Sequence, residues 1–311
     1  MTRVAIIGAG ISGLACARQL AKAGVSVVVF DKGRGIGGRV ATRRAGDLQF
    51  DHGAPFVRAQ RDDFSALLAS LTVDGSAVPW TDDKGVTWTV GSPGMSAIPK
   101  AMGVGLDVRL GTQILKVNAN QSGWHLHYDE TEYVATHIVV TVPKPQIAGL
   151  LGYTHPLIPQ IADVKMEPGL TLMATVTGTT PSITPFLPDD PLALITCDSS
   201  KPNRPLNESS SWVAQAGTEF SVTHLEKNLP DIAALMLPLL CERLDATLGR
   251  ITHAVAHRWR YSRVSKALGQ PFVSTSDQTL YLGGDWCIGP DIEDAWTSGM
   301  AIAQDLLERE L

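Results

Sequence analysis

Three glycines near the start of the chain have the spacing of a turn that binds phosphate through its backbone. Gly8, Gly10 and Gly13 follow an apolar run and open a stretch with helical periodicity. In such a strand–turn–helix, the first glycine permits the tight turn, the second lets a pyrophosphate approach the backbone, and the third allows close packing. Free N–H groups and the helix dipole then favour phosphate oxygens at this turn.

An acidic residue completes this segment. Asp31 lies just past the second predicted strand, Val25–Phe30, where a carboxylate can accept hydrogen bonds from ribose hydroxyls. Together these features predict a dinucleotide site, which we expect Ile11, Ser12 and Lys32 to line as well. This site alone does not distinguish NAD from FAD.

A second glycine-rich segment near the end of the chain distinguishes the two cofactors. Gly283 and Gly284 follow a short strand pattern, and a predicted helix over 294–309 follows them. The glycines again allow close backbone approach. A nicotinamide enzyme needs only the first segment, whereas an enzyme that holds FAD along its full length needs both. The pair therefore predicts FAD.

The segment after Asp31 extends the predicted cofactor site. Gly37-Gly38 gives another place for close backbone approach, and Arg34 and Arg39 can neutralise phosphate charge. A further small-residue step contains His52, Gly53 and Ala54, which we expect to pass under a flat ring system. We interpret Arg43 and Arg44 as a solvated basic turn.

Composition excludes several function classes. The 311 residues carry a formal net charge of −5, so there is no basic field for a nucleic acid. The four cysteines form no CxxC or Cys/His cluster, so we expect free thiols and no metal site. Glycines and early basic residues argue against a signal peptide, and no apolar run is long enough to span a membrane. We expect a soluble cytoplasmic protein.

The pattern of elements predicts an α/β fold with two domains. A βαβ unit opens a parallel, Rossmann-like sheet, and from about residue 151 frequent prolines and alternating strands predict an inserted α+β substrate domain on a mainly antiparallel sheet. We expect residues 33–46 to form a loop with a helical turn, and Leu229–Leu248 to be helical but broken at Pro238. The FAD-binding domain is predicted to be discontinuous, with residues 1–68, 94–155 and 266–311. The substrate domain is predicted over 69–93 and 156–265.

At this point the motifs resemble those of a known superfamily. The segment Gly8–Gly13 with Asp31, then Gly37-Gly38-Arg39 and Asp51–Phe56, resembles the flavin amine oxidases. The segments Ser211–Val213 and His257–Ser262 are most similar to renalases and their bacterial relatives. The superfamily usually carries Glu where this chain has Asp31, and both acids accept ribose hydroxyls.

The resemblance implies roles for further residues. Asp285 would contact ribityl or phosphate oxygens of FAD, and Ile114 would lie on the strand that meets the adenine. The last helix, with Asp294 and Ala295, would point its N-terminus at the flavin, where it favours the negative charge of reduced flavin by about 0.3–2 kcal/mol. The segment around Cys287 does not resemble the family's covalent attachment motif, so we expect non-covalent FAD.

The resemblance also implies an activity, with alternatives left open. A renalase-like oxidase would take a hydride from 2- or 6-dihydro isomers of NAD(P) and reduce O2 to H2O2. A flavin amine oxidase acting on a small amine and a non-catalytic FAD-binding protein are the other two hypotheses. No catalytic triad or carboxylate pair is evident, and the oligomeric state is open. The predicted pocket residues are Trp212, His224, Trp259, Tyr261 and Trp296.

Overall fold

A computed structural model of the chain describes residues 2–82, 84–178, 191–205 and 208–310. Most of the proline-rich stretch at 179–190 therefore lies outside the described residues. The strands are β1 Arg3–Ile7, β2 Ser26–Phe30, β3 Arg43–Ala45, β4 Leu48–Phe50, β5 Ala77–Thr81, β6 Thr87–Gly91, β7 Asp107–Arg109, β8 Lys116–Asn120, β9 Gly123–Tyr128, β10 Thr131–Ala135, β11 His137–Val140, β12 Lys165–Thr177, β13 Leu194–Cys197, β14 Ser209–Gln215, β15 Ile251–Lys266, β16 Phe272–Ser274 and β17 Leu280–Gly283. The helices are α1 Ile11–Lys22, α2 Asp62–Val73, α3 Ala97–Met102, α4 Lys144–Leu151, α5 Thr218–His224, α6 Leu229–Arg243 and α7 Ile292–Glu310.

The described chain divides into two compact units. The first contains residues up to Gly38 together with Pro99–Met166 and the segment from Val264 onward, and the second contains Arg39–Ile98 and Glu167–Arg263. These bounds differ from those of the predicted domains, since residues 39–68 and 94–98 group with the second unit and 156–166 and 264–265 with the first. The functional domain bounds stay a prediction.

The first unit is built on a six-stranded sheet in the order β16-β17-β11-β1-β2-β7. Its central strands are runs of β-branched and aliphatic residues because both faces of a parallel sheet are covered. β1 pairs in parallel with β2 on one side and with β11 on the other. Because β1 lies where the strand order reverses, its carboxyl end opens onto the crevice where such sheets bind ligands.

The second unit is built on a four-stranded sheet in the order β13-β14-β12-β15. β14 pairs antiparallel with β12 and β13. Side chains alternate between the two faces, so Leu172, Ala174 and Trp212 pack with Met236 and Leu240 of α6. The opposite face carries Met173 of β12 and Val213 of β14, which pack against Phe50.

Two local predictions were wrong. Residues 33–46 contain no helical segment, since Arg43–Ala45 pairs with Leu48–Phe50 as a hairpin. α6 runs unbroken through Pro238. A proline inside a helix costs about 3 kcal/mol, and the burial of Ile232, Met236 and Leu240 in the second unit's core offsets this cost.

Candidate functional site

The first glycine-rich segment forms a closed turn between β1 and α1. Gly8 has φ +113°, a conformation that favours glycine, and Gly13 packs so closely that a Cβ atom there would lie 2.0 Å from the Gly8 carbonyl oxygen. A Cβ atom at Gly10 would meet nothing within 4 Å. The outer glycine positions therefore hold the turn together, while Gly10 leaves open space above the backbone.

Residues at the start of α1 fit a phosphate at this turn. Ile11 is buried, and the buried hydroxyl of Ser12 has no hydrogen-bond partner in the described part of the chain. An orphaned hydroxyl beside free N–H groups at a helix N-terminus matches the donors that hold a pyrophosphate. The residues present therefore fit a dinucleotide.

Asp31 holds the turn as well as facing the predicted ribose position. Its Oδ2 accepts a hydrogen bond from the N–H of Ala9 at 2.7 Å, and its Oδ1 accepts one from Gly33 at 2.6 Å. Because an ionised carboxylate has about four acceptor sites, two remain for ribose hydroxyls. Lys32 donates to Gln146 Oε1 at 3.3 Å.

The Gly37-Gly38 pair lies beside the same turn. Gly37 donates its N–H to the carbonyl of Ala9 at 2.9 Å. Gly38 has φ +57°, and a Cβ atom there would lie 3.6 Å from the Gly10 Cα atom. The second glycine pair therefore lies next to the backbone of Gly10, and its role at the cofactor stays a prediction. Arg39, in the second unit, donates to the Ser262 carbonyl at 3.0 Å.

Two residues that sequence reasoning missed support the first turn. Thr141 follows β11, and its hydroxyl donates to the Gly8 carbonyl at 3.1 Å. Gly299 of α7 packs against α1, where a Cβ atom would lie 2.0 Å from the Ser12 carbonyl oxygen. The small residue at 299 is the available signal, since it interrupts an otherwise helix-favouring stretch.

The second glycine-rich segment ends β17. Gly284 has φ +143°, and its N–H donates to the Ser298 hydroxyl at 2.9 Å. Asp285 follows and is 5% exposed. The backbone conformation at Gly284 is one that a side chain would strain, so the glycine has a structural reason as well as the predicted one.

The N-terminus of α7 carries more negative charge than the prediction allowed for. Asp291 donates its N–H to Asp294 Oδ2 at 2.9 Å, and Glu293 lies in the same turn. Burial raises the pKa of Asp294, and the charges of Asp291, Glu293 and Asp285 raise it further. A helix end supplies only about half an elementary positive charge, so these carboxylates oppose the predicted stabilisation of an anion. Ala295 lies in this first turn and donates its N–H to the Asp291 carbonyl.

Cys287 is fully buried in the core of the first unit. Burial raises the pKa of its thiol well above the ordinary range. Since the thiolate is the reactive form, this cysteine has the properties of a packing residue.

In the second unit, one face of β15 carries several imidazole and larger aromatic rings. The side chains share this face because an even number of positions separates them along the strand: His253, His257, Trp259 and Tyr261. Phe50 stacks on His253 with ring centroids 5.5 Å apart. Trp259 and Tyr261 were predicted to line a pocket, and the period-two spacing of rings along β15 is the signal that would have added His253 and His257.

Two of the β15 rings, His257 and Trp259, form a continuous aromatic surface with His52, and this surface is called here the ring wall. The His52 centroid lies 4.8 Å from that of His257 and 5.2 Å from that of Trp259. The Trp259 indole N–H donates to the His52 carbonyl at 3.0 Å. Burial lowers the pKa of His52 to about 4, with a further contribution from His257, so the imidazole is neutral at neutral pH.

Charged side chains buried beneath His52 fix the same segment. This buried charge network consists of Asp51, Asp198, Lys201 and Arg204, all at most 7% exposed. Lys201 Nζ lies 3.0 Å from Asp51 Oδ2 and 2.5 Å from Asp198 Oδ1, and Arg204 Nη2 lies 2.6 Å from Asp51 Oδ2. Burial opposes ionisation of Asp51, but Lys201 and Arg204 outweigh it and lower the pKa of Asp51. Burial raises the pKa of Asp198.

The backbone beside His52 is equally constrained. A Cβ atom at Gly53 would lie 1.9 Å from the Arg39 carbonyl oxygen, and Gln215 donates to the Gly53 carbonyl. Ala54 donates its N–H to the Arg39 carbonyl at 2.9 Å. The segment Asp51–Ala54 is thus held by a buried ion network on one side and by the sheet on the other.

The other predicted pocket residues occupy separate elements within their own units. Trp212 is 3% exposed and packs on the α6 side of its sheet, which is a structural position. His224 ends α5 and contacts the Phe220 ring at 4.5 Å. Trp296 belongs to the first unit. Ile114, predicted to lie on the strand that meets the adenine, instead precedes β8 and is part of the core of that unit. Among the predicted pocket residues, the structure groups Trp259 and Tyr261 on one face of β15.

Two further observations concern the described residues as a whole. Within the described residues, no three His, Cys, Asp or Glu side chains are arranged as ligands of a metal ion, so the imidazoles do not form a metal centre. No helix among the described residues combines the length and apolarity needed to cross a membrane.

The glycine turn, Asp31 and the second glycine segment on a parallel sheet define an FAD-dependent oxidoreductase. A family model for flavin containing amine oxidoreductases matches residues 81–307, and one for NAD(P)-binding Rossmann-like domains matches 6–71. The chain therefore belongs to the flavin-containing amine oxidoreductase family, and the predicted fold class and cofactor are confirmed.

Individual relatives extend this result. The chain is similar to protoporphyrinogen oxidase 2 of Arabidopsis thaliana, at 36% identity over 22% of this chain and 14% of that protein. The first curated relatives are matched over only 15% of their own length. Cyclohexylamine oxidase of Brevibacterium oxydans has a similar structure, with a TM-score of 0.78, 13% identity and coverage of 99% of this chain and 100% of that chain. Putrescine oxidase bound to putrescine gives a TM-score of 0.70 at 15% identity, covering 99% of each chain. At these identities the structural similarity concerns the fold.

Proposed function

We propose that this flavoenzyme is a renalase-like oxidase of isomeric dihydro forms of NAD(P), reduced at ring position 2 or 6. The observation that supports this most is the ring wall of His52, His257 and Trp259. A flat pyridine ring is complementary to a surface of stacked and edge-on aromatic rings.

The cofactor supplies the redox chemistry, and the protein supplies position. FAD bound without a covalent link would supply the redox chemistry: it would accept the hydride of the donor carbon, and O2 would take up two electrons and two protons to give H2O2. The dihydro ring loses that hydride and leaves as aromatic NAD(P)+. Gly8–Gly13 and Asp31 would hold the dinucleotide part of the cofactor. The ring wall would orient the donor ring and exclude water from it.

The neutral state of the imidazoles is consistent with this role. A hydride donor of this class needs no base to remove a proton from it before oxidation. His52 has a lowered pKa, and burial also lowers the pKa of His257. Neutral rings offer stacking surface and add no positive charge of their own against the cationic product ring.

A small amine is the second candidate substrate. Membership of the flavin-containing amine oxidoreductase family and the fold similarity to cyclohexylamine and putrescine oxidases support it. An amine must be neutral to donate a hydride, and a cage of aromatic walls would hold it.

Aerobic turnover distinguishes the candidates. Purified protein with bound FAD is given 2- or 6-dihydroNAD(P), or a panel of small amines, and O2 uptake is followed with product analysis. We expect NAD(P)+ and H2O2 to appear in equal amounts with the dihydro isomers. Aldehyde and H2O2 from amines, with no NAD(P)+ from the isomers, would overturn the proposal.

A further inference from the structure

Arg43 projects toward the imidazole face of the second unit. In the β3–β4 hairpin, Arg43 pairs with Phe50, and cross-strand partners project on the same face. Phe50 stacks on His253, with an interplanar angle of 17°. Arg43 therefore lies on the side of the hairpin that faces β15. The adjacent Arg44 pairs with Gln49 and projects on the other side.

The charge of Arg43 acts on all three imidazoles of this face. Burial is the main cause that lowers the pKa values of His52, His253 and His257, and the Arg43 guanidinium lowers each of them further. The strand pairing and these pKa effects both indicate that the Arg43 guanidinium lies near His253 and the ring wall.

In the described part of the chain, the charge of Arg43 is not balanced by a carboxylate. Among the described residues, none lies within ion-pair distance of Arg43, whose side chain is exposed. Asp51 also acts on His52, but its charge is matched by Lys201 and Arg204 at 3.0 and 2.6 Å. The ring surface is therefore left with a local excess of positive charge.

We propose that Arg43 is a specificity residue that binds a phosphate group of a substrate whose flat ring lies against the ring wall. A planar guanidinium donates two parallel hydrogen bonds to a phosphate, whereas it repels an ammonium group. His253 and His257 are four residues apart on β15, a distance of about 13 Å along the strand. A ring and a phosphate joined through a ribose therefore fit along this face. This inference rests on the proposed function and names the part of the substrate that Arg43 recognises.

Arg44 provides a matched control. Both arginines are exposed neighbours on one short strand, and they differ in the face to which they project. Arg43→Gln and Arg44→Gln therefore remove the same charge from the same loop. Arg43→Lys keeps the charge but loses the two-pronged geometry.

The kinetic experiment compares a dihydronicotinamide mononucleotide with its phosphate-free nucleoside. We expect Arg43→Gln to raise KM for the mononucleotide by roughly 10- to 100-fold, as for loss of a charged hydrogen bond, with kcat unchanged. KM for the nucleoside should not change, Arg44→Gln should match the wild type, and Arg43→Lys should recover part of the loss. Equal effects of Arg43→Gln and Arg44→Gln, or equal effects on both donors, would overturn the inference.

A binding measurement separates this inference from the proposed function. Titration calorimetry of the oxidised, FAD-loaded protein with nicotinamide mononucleotide requires no turnover. We expect Arg43→Gln to weaken binding by the same factor and Arg44→Gln to leave it unchanged. If no dihydro compound is oxidised while this binding difference persists, the proposed function fails and the phosphate site stands. If the dihydro compounds are oxidised and binding does not depend on Arg43, the phosphate site fails alone.

Discussion

In the first unit, the groups predicted to bind the cofactor are mostly backbone groups and small residues of continuous segments. In the second unit, the candidate site is assembled from side chains of distant segments. Gly8, Gly10 and Gly13 lie within six consecutive residues, and the side chains of Asp31 and Thr141 support their turn by hydrogen bonds. The ring wall requires residue 52 to meet residues 257 and 259. The predicted dinucleotide site is therefore encoded mostly by residues close together in the sequence, whereas the candidate substrate site is not.

Electrostatics also separate the two regions. At the start of α7, burial raises the pKa of Asp294, and the neighbouring carboxylates raise it further. At the ring wall, a cation and burial keep the imidazoles unprotonated. The two regions therefore place opposite local charges on the protein, and the experiments below test the parts of this contrast in order of decreasing expected effect.

The largest effect is expected from the buried charge network. Lys201→Met leaves Asp51 and Asp198 buried without their shared cation, and breaking a buried ion pair costs about 3–5 kcal/mol of unfolding free energy. Lys266→Met is the control, because its ion pair with Asp163 is exposed to solvent, so its loss should leave the unfolding free energy nearly unchanged. Denaturant unfolding measures both. Equal losses from the two substitutions would show that the network does not anchor the segment at His52.

The next effect concerns the titration of His52. Its pKa in the folded state, about 4, lies below the ordinary value of 6.5, so between these values the unfolded chain binds more protons. The stability from this group is present above pH 6.5 and is lost as pH falls toward 4, by about 3 kcal/mol in all. Unfolding free energies of wild type and His52→Asn across this range should differ in slope. Parallel curves would contradict a neutral, buried His52.

The smallest effect separates two glycines of one turn. Gly13→Ala places a Cβ atom 2.0 Å from a backbone oxygen. We therefore expect the unfolding free energy to fall by about 1–3 kcal/mol and FAD binding to weaken as well. Gly10 has φ −77° and open space around it, so Gly10→Ala should fold with wild-type stability when FAD is absent. Its methyl group should weaken FAD binding because it occupies the space of the approaching pyrophosphate. Fluorescence titration of the apoproteins with FAD, together with unfolding curves, checks both; unchanged FAD affinity in Gly10→Ala would remove the argument for close approach.

The sequence predicted the first unit well because its signals are local. The β-branched runs of β1 and β2 and the three glycines each act within one turn or one strand, and Asp31 directly follows β2. The helix through Pro238 was mispredicted because burial of Ile232 and Met236, which sequence periodicity does not measure, outweighs a missing hydrogen bond. The charge network could not be predicted, since Asp51 and Lys201 are 150 residues apart and become partners only in the fold. Trp212 had the right type for a pocket, but its position in the strand register places it in the core.

Anaerobic mixing of the FAD-loaded protein with 6-dihydroNAD(P), 2-dihydroNAD(P) and an amine panel tests the central claim most directly. The visible absorbance of the flavin reports hydride transfer without a contribution from O2. We predict rapid bleaching by a dihydro isomer, with one equivalent of NAD(P)+ formed per flavin, and no bleaching by amines. Rapid bleaching by amines alone would contradict the account.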